Sequence, residues 1–142
     1  MVIVARTLPP SEFLIEADRG GIIVDVRSPG EFEQGHITGA VSWPLFSNEE
    51  RAEIGTLFKQ KSRDKAVDLG LKIIGPKMPE MAQWGRSLFE SQTSSDGSPA
   101  RNSLLIHCWR GGMRSESVAW LLRTAGVPAV VLYGGYKSFR VY

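Results

Sequence analysis

Ser103-Leu-Leu-Ile-His-Cys-Trp-Arg-Gly-Gly-Met-Arg-Ser115 decides how this chain is read. Its first five residues, Ser103 to His107, make an apolar run of strand length. A glycine turn follows at Gly111-Gly112. Behind it Val118, Leu121, Leu122 and Ala125 recur at helical spacing, until Gly126 and Pro128 stop the helix. The order is strand, loop, helix start, and in open α/β sheets ligands bind at such strand ends. Gly111 and Gly112 permit positive φ, so successive N–H groups can curl around an anion, with little room for a Cβ. The following helix adds the positive end of its dipole, and Arg114 adds a fixed charge on a bidentate fork. Cys108 lies at the bottom of that cradle. These surroundings favour the thiolate and predict a pKa well below the ~8.5 of a free cysteine. The residues read as a nucleophilic cysteine inside an anion-binding loop. The competing reading, an inert buried thiol, accounts for neither the glycines nor Arg114.

Outward from this segment, strands and helices alternate. Strands are expected at Val2–Ala5, at Ile22–Val26 (an apolar run broken only by Asp25), at Ala40–Trp43 and at Ala129–Leu132. Ser11 caps a helix through about Ala17, ended by Gly20-Gly21. Ser47-Asn-Glu-Glu50 is a capping box with Ile54, Leu57 and Phe58 behind it. A helix after Ser62 carries Ala66, Leu69 and Ile73, Gly75-Pro76 breaks it, and helix resumes after Pro79 with Met81, Trp84 and Leu88. Gln92 to Asn102 has no apolar periodicity and reads as a flexible surface loop. The alternation predicts an α/β fold, a parallel sheet with helices on both faces. Trp43, Trp84 and Trp120 sit on periodic apolar positions and read as core or as a domain interface. The chain runs into a helix start at Tyr136-Lys-Ser-Phe139, which leaves open whether it once continued.

Composition limits the function classes. A chain of 142 residues suits one domain, 1–142, and 42% hydrophobic residues supply a core. No apolar run approaches the roughly 20 residues of a membrane span, and no signal peptide is visible. The single cysteine cannot form an internal disulfide or a Cys-rich zinc site, which points to a reducing, cytoplasmic setting without a metal. The formal charge is only +2, yet from Ser103 onward Arg110, Arg114, Arg123, Lys137 and Arg140 face Glu116 alone. The basic surplus accompanies the cysteine and favours an anionic substrate there.

The sequence also resembles a known superfamily. Asp25-Val-Arg-Ser-Pro-Gly-Glu-Phe-Glu-Gln-Gly-His-Ile-Thr-Gly-Ala40 is similar to the N-terminal signature of rhodanese domains. Gly126 to Gly135, ending Leu132-Tyr-Gly-Gly135, is similar to their C-terminal signature. The resemblance implies a five-stranded parallel sheet and sulfur transfer through a cysteine persulfide. One departure stands out. Single-domain rhodaneses show C-x4-R at this loop, whereas Cys108 to Arg114 is C-x5-R. His107-Cys108-x5-Arg114-Ser115 also fits cysteine-dependent phosphatases, some of which share the rhodanese fold. The wider loop favours a phosphate-sized tetrahedral ligand over a bare sulfur atom.

A narrower resemblance lies in Cys108-Trp-Arg-Gly-Gly-Met-Arg-Ser115, Val118-Ala-Trp-Leu-Leu122 and Gly134-Gly-Tyr-Lys-Ser-Phe-Arg140. These are similar to the rhodanese domain of the tRNA 2-selenouridine synthase family. That resemblance implies replacement of the sulfur of 2-thiouridine in tRNA by selenium from selenophosphate, with Cys108 carrying sulfur or selenium. It also implies a P-loop domain normally fused C-terminally, yet no G-x-x-x-x-G-K-[ST] occurs in this chain. The expected partners are therefore a small anionic donor (selenophosphate or thiosulfate), tRNA, and such a P-loop domain, with no membrane.

Roles follow for the loop residues. Cys108 is the expected nucleophile, and Trp109, Arg110, Gly111, Gly112, Met113, Arg114 and Ser115 are the expected donor- and anion-binding set. Arg114 is expected to hold the loop and bind the anion. Arg110 points either into the mouth of the site or into solvent. Trp109 either stacks on a base or packs the loop down. Ser115 either donates to the thiolate or is an ordinary early helix residue. Asp25, Arg27 and His36 read as structural. His107 should face away from Cys108, since neighbours alternate along a strand, and should brace the loop. Three functions remain open: a sulfur/selenium transferase, a cysteine-dependent phosphatase, and a non-catalytic module binding RNA or a partner domain.

Overall fold

The structure, a computed structural model, describes residues 7–93, 96–98, 100 and 102–142. The strand expected at Val2–Ala5 lies outside the described residues. In chain order the elements are β1 (Thr7–Leu8), α1 (Pro10–Asp18), β2 (Ile23–Asp25), α2 (Pro29–Gln34), β3 (Val41–Ser42), α3 (Asn48–Gln60) and α4 (Arg63–Ile74). After a 3-10 turn over Gly75–Lys77 come α5 (Met78–Glu90), β4 (Leu104–His107), α6 (Met113–Thr124), β5 (Ala129–Leu132) and α7 (Gly135–Phe139). The strands form one parallel sheet in the order β1-β5-β4-β2-β3.

Period-two alternation divides the core. Val24, Val26, Leu104, Ile106, Ala129 and Val131 face one side, packed with Val118 and Leu122 of α6 and Met81 of α5. Ile23, Leu105, Val130 and Leu132 face the other, packed with Phe13 of α1 and with Tyr136 and Phe139 of α7. Helices therefore cover both faces, and the inner strands, buried on both sides, read as continuous apolar runs.

Local differences from the expectation have local causes. Helix α1 starts at Pro10 with Pro9 in the capping position and no side-chain cap, not at Ser11. Proline suits the first helical turn because its missing N–H would have no partner there. Gly75-Pro76 interrupts the helix as expected, but with a single 3-10 turn, since Gly75 keeps right-handed helical angles (φ −47°, ψ −54°), and α5 resumes at Met78 rather than after Pro79. Helix α2 was not expected, and its signal is Ser28-x-x-Glu31: the Glu31 carboxylate accepts from the Ser28 amide and hydroxyl at 3.2 and 2.9 Å. Ser47 and Glu50 form the anticipated box at the start of α3. The Gln92–Asn102 segment is tied at its ends: Gln92 is buried and its amide donates to the Asn102 carbonyl at 2.9 Å. Trp43 and Trp84 stack at 4.6 Å beside the core, whereas Trp120 is 55% exposed. A helix turned by 3.6 residues per turn carries its apolar stripe partly past the sheet. Among the described residues no helix is long and apolar enough to cross a membrane.

Candidate active site

Cys108 follows the last residue of β4, at the carboxyl end of the sheet, and is 3% exposed. The alternation that sends Ile106 to the α6 side sends Cys108 there too and His107 to the opposite side. Its Sγ lies 3.1 Å from Ser115 Oγ, which sits in the first turn of α6 and is fully buried. Ser115 Oγ is also 3.3 Å from the Gly112 carbonyl, to which it donates. Through these two contacts the serine joins the thiol at the start of the loop to Gly112 at its end.

Helix α7 fixes the orientation of the loop. The Tyr136 and Lys137 amides each donate at 2.9 Å, to the Cys108 and Trp109 carbonyls respectively. The described peptides are all trans, so pinning those carbonyls toward α7 turns the following amides, of Trp109 and Arg110, away from it. The first N–H groups of α6 have no intrahelical acceptor and add to the same positive end. The close approach requires glycine at two places. Gly111 has φ +74°, and a Cβ there would lie 3.0 Å from the Leu132 carbonyl oxygen. Gly135 has φ +61°, and a Cβ there would lie 2.5 Å from the Trp109 carbonyl oxygen. Gly112 differs from the expectation. Its φ is −90° and nothing lies within 4 Å of a Cβ built on it, because it already faces the pocket as the capping position of α6.

Arg114 projects onto α2. Its Nη1 and Nη2 lie 2.7 and 3.4 Å from the two oxygens of Glu31, and the pair locks the loop to the start of α2. Burial on its own would raise the Glu31 pKa, but the hydrogen bonds and charge of Arg114, with Ser28, outweigh it and bring it from 4.5 to about 2. Sequence reasoning missed Glu31, although Ser28-x-x-Glu31 marked it as a capping residue. It also missed Arg51 of α3, whose Nε lies 3.9 Å from the same carboxylate.

Cys108 opens onto a pocket of about 580 Å³. Its floor is Cys108, Trp109, Gly112 and Met113; Phe46, Ile54 and Phe58 form an apolar wall. Arg51, Lys59, Arg110 and Arg114 supply the charge, and no Asp, Glu or His is among the lining residues. Arg110 is exposed at the mouth. Met113 is 51% exposed, with Arg63 Nη2 3.8 Å from its sulfur. Trp109 is half-buried: Arg140 lies over its ring at 4.8 Å and Tyr136 is tilted against it at 6.2 Å, so it packs the loop onto α7.

On the far face of β4 Arg27 and Asp25 satisfy each other, while the buried His107 Nε2 has no hydrogen-bond partner among the described residues. Arg27 Nε and Nη2 grip Asp25 at 3.0 and 2.8 Å, Nη2 also donates to the Gly35 carbonyl at 2.7 Å, and the guanidinium lies 4.3 Å from the Tyr136 ring centroid. His107 is fully buried beside them, with Nδ1 3.2 Å from the Cys108 carbonyl oxygen and Nε2 3.5 Å from Asp25. Burial lowers its pKa from 6.5, more than the Asp25 charge raises it. His36 is exposed, stacks on Phe32 at 3.7 Å and contacts the Phe32 carbonyl through Nδ1. Among the described residues no cluster of His, Cys, Asp and Glu could hold a metal ion.

A parallel sheet of this strand order, with a cysteine loop between β4 and α6, defines a class that family comparison names. Residues 10–141 match the family model of the rhodanese-like domain, and the chain belongs to that family. Among curated proteins it is similar to tRNA 2-selenouridine synthases. It is 38% identical to that of Hydrogenovibrio crunogenus over 122 residues, 84% of this chain and 31% of the relative. To that of Bdellovibrio bacteriovorus it is 37% identical over 123 residues, 84% of this chain and 30% of the relative. The chain thus spans about a third of the length of these relatives. Among solved structures, the N-terminal domain of a Clostridium difficile 630 protein named for ATP/GTP binding superposes with a TM-score of 0.81 at 32% identity, covering 95% of this chain and 96% of that one. A Saccharomyces cerevisiae homologue of single-domain rhodanese and of the Cdc25 phosphatase catalytic domain superposes with a TM-score of 0.54 at 17% identity, over 96% of this chain and 80% of that one, a likeness of fold alone.

Proposed function

We propose that this domain transfers sulfur or selenium through Cys108, as the rhodanese part of an enzyme that converts 2-thiouridine in tRNA to 2-selenouridine. The observation that carries the reading is a nucleophile without an acid. Cys108 and Ser115 sit at the base of a pocket rich in arginine and lysine, and no Asp, Glu or His lines it. A phosphatase needs a proton donor for its leaving alkoxide. Glu31, the carboxyl paired with Arg114, has a pKa of about 2 and stays ionised at neutral pH. Sulfur transfer needs no such donor. The Cys108 thiolate attacks the outer sulfur of thiosulfate, an S–S bond forms to Cys108, and the S–S bond of thiosulfate breaks. Sulfite leaves with the electron pair as a stable anion, and a cysteine persulfide remains for the acceptor.

Selenophosphate is the proposed donor of selenium, a tetrahedral anion suited to the C-x5-R loop. Attack at selenium forms an S–Se bond to Cys108 and breaks the P–Se bond, whose electron pair stays on phosphorus; a perselenide remains on Cys108 and phosphite leaves after taking a proton from solvent. Attack at phosphorus phosphorylates Cys108 and releases hydrogen selenide, the phosphatase-like course. The similarity to tRNA 2-selenouridine synthases supports tRNA as the acceptor substrate; a partner P-loop domain is proposed to supply the remaining chemistry. Intact mass spectrometry after exposure to thiosulfate or selenophosphate tests the reading. The expected result is one adduct on Cys108, with a selenium isotope pattern for the second donor, and none on Cys108→Ser. A phosphoryl adduct, or turnover of an aryl phosphate abolished by Cys108→Ser, would establish the phosphatase instead.

A further inference from the structure

The loop arginine and the helix arginine differ in what is left over for a ligand. Arg114 is neutralised by Glu31 at 2.7 Å. Arg51 shares that carboxylate only at 3.9 Å, and its buried Nε has no hydrogen-bond partner. It lines the Cys108 pocket. Arg51, Gly55 and Lys59 stand at i, i+4 and i+8 of α3, one stripe along the pocket wall. Gly55 is an anomaly in the interior of a 13-residue helix, where glycine costs about 1 kcal/mol against alanine. The position has a reason: a Cβ there would stand 3.2 Å from Arg51 Nη1. The missing side chain leaves the groove in which the guanidinium lies.

We infer that Arg51, with Lys59 about two turns further along the same stripe of α3, forms the anion subsite in the Cys108 pocket and selects a tetrahedral oxyanion donor. The inference rests on the transferase reading for its substrate. Arg51 takes the oxyanion end of the donor while the loop amides surround the atom being transferred. A bidentate guanidinium matches two oxygens of such a group, beside the apolar wall of Phe46, Ile54 and Phe58. The role assigned to Arg114 by spacing is thereby divided. Arg114 holds the loop, and Arg51 meets the ligand.

Two measurements separate this inference from the transferase reading. The first compares alkylation of Cys108 by iodoacetate, an anion, with that by neutral iodoacetamide. The ratio of the two rates cancels any change in the thiol itself. In Arg51→Gln it should fall roughly fivefold, the scale of one screened charge at short range, and in Lys72→Gln, an exposed residue of α4, it should stay unchanged. A ratio within twofold of the unmodified protein in Arg51→Gln overturns the inference. The second titrates inorganic phosphate into Cys108→Ser and follows the loop amide shifts, with no thiol chemistry involved. Adding Arg51→Gln should weaken binding several-fold, and equal binding overturns the inference. If Cys108 accepts no sulfur or selenium while Arg51→Gln still weakens phosphate binding, the transferase reading falls and the anion subsite stands.

Discussion

The two sides of the Cys108 loop are built from similar residues and used oppositely. Toward α7, Arg27, Asp25 and His107 are buried and engaged with one another, and the α7 amides satisfy the loop carbonyls. Toward α3, Arg51, Lys59 and Arg110 surround an open volume with no carboxylate in its lining. A buried charge must be paired or it is too costly to keep, whereas a partly exposed cation can stay available because water screens it until a ligand arrives. One side therefore sets the shape of the loop and the other receives an anion. Glu31 stands between the two and holds Arg114 to the first role.

The comparison can be broken most forcefully on the α7 side. Arg27→Met strands Asp25, fully buried, without its cation, and should cost about 3–5 kcal/mol in denaturant unfolding. A loss under 1 kcal/mol would mean that His107 or water takes over the carboxylate. Glu31→Gln sharpens the division between the sides. It removes the negative charge beside the pocket, so the iodoacetate to iodoacetamide ratio at Cys108 should rise several-fold, opposite in sign to Arg51→Gln. Stability should fall by about 1 kcal/mol from the weakened Arg114 strut. A falling ratio would show that the loop collapses without the pair. The smallest effect is on pH dependence. His107 has a folded pKa below its unfolded 6.5, so the unfolded chain binds the extra proton. Its contribution is intact above pH 6.5 and declines as the pH falls below that value, toward the lowered folded pKa. Urea midpoints measured downward from pH 7.5 should show that decline, and His107→Gln should flatten it. Glu31 adds a separate decline only at lower pH, between about 4.5 and 2.

Much of the architecture was legible because its signals are local. Ile22–Val26, Ser103–His107 and Ala129–Leu132 are apolar runs of strand length, and the strands observed fall inside them. Ser47 with Glu50 caps the helix it was expected to cap, and the helix expected after Ser62 begins there, with Ser62 as its cap. What escaped the reading depends on distance. Glu31 and Arg114 are 83 residues apart, and Arg51 and Cys108 are 57 apart, so no periodicity links them. The place of Gly55 was not legible because the atom beside it belongs to a guanidinium one turn back.

The sequence by itself determined the parallel α/β sheet and the position of Cys108 at the end of a buried strand, with His107 turned to the other face. Hydrophobic period and glycine placement act along a few residues and need no knowledge of neighbours. Only the tertiary structure decided which arginine is neutralised and which is left for a ligand. That choice depends on which carboxylate the packing of α2 brings within 3 Å, and charge pairing across the sheet is a property of three-dimensional distance.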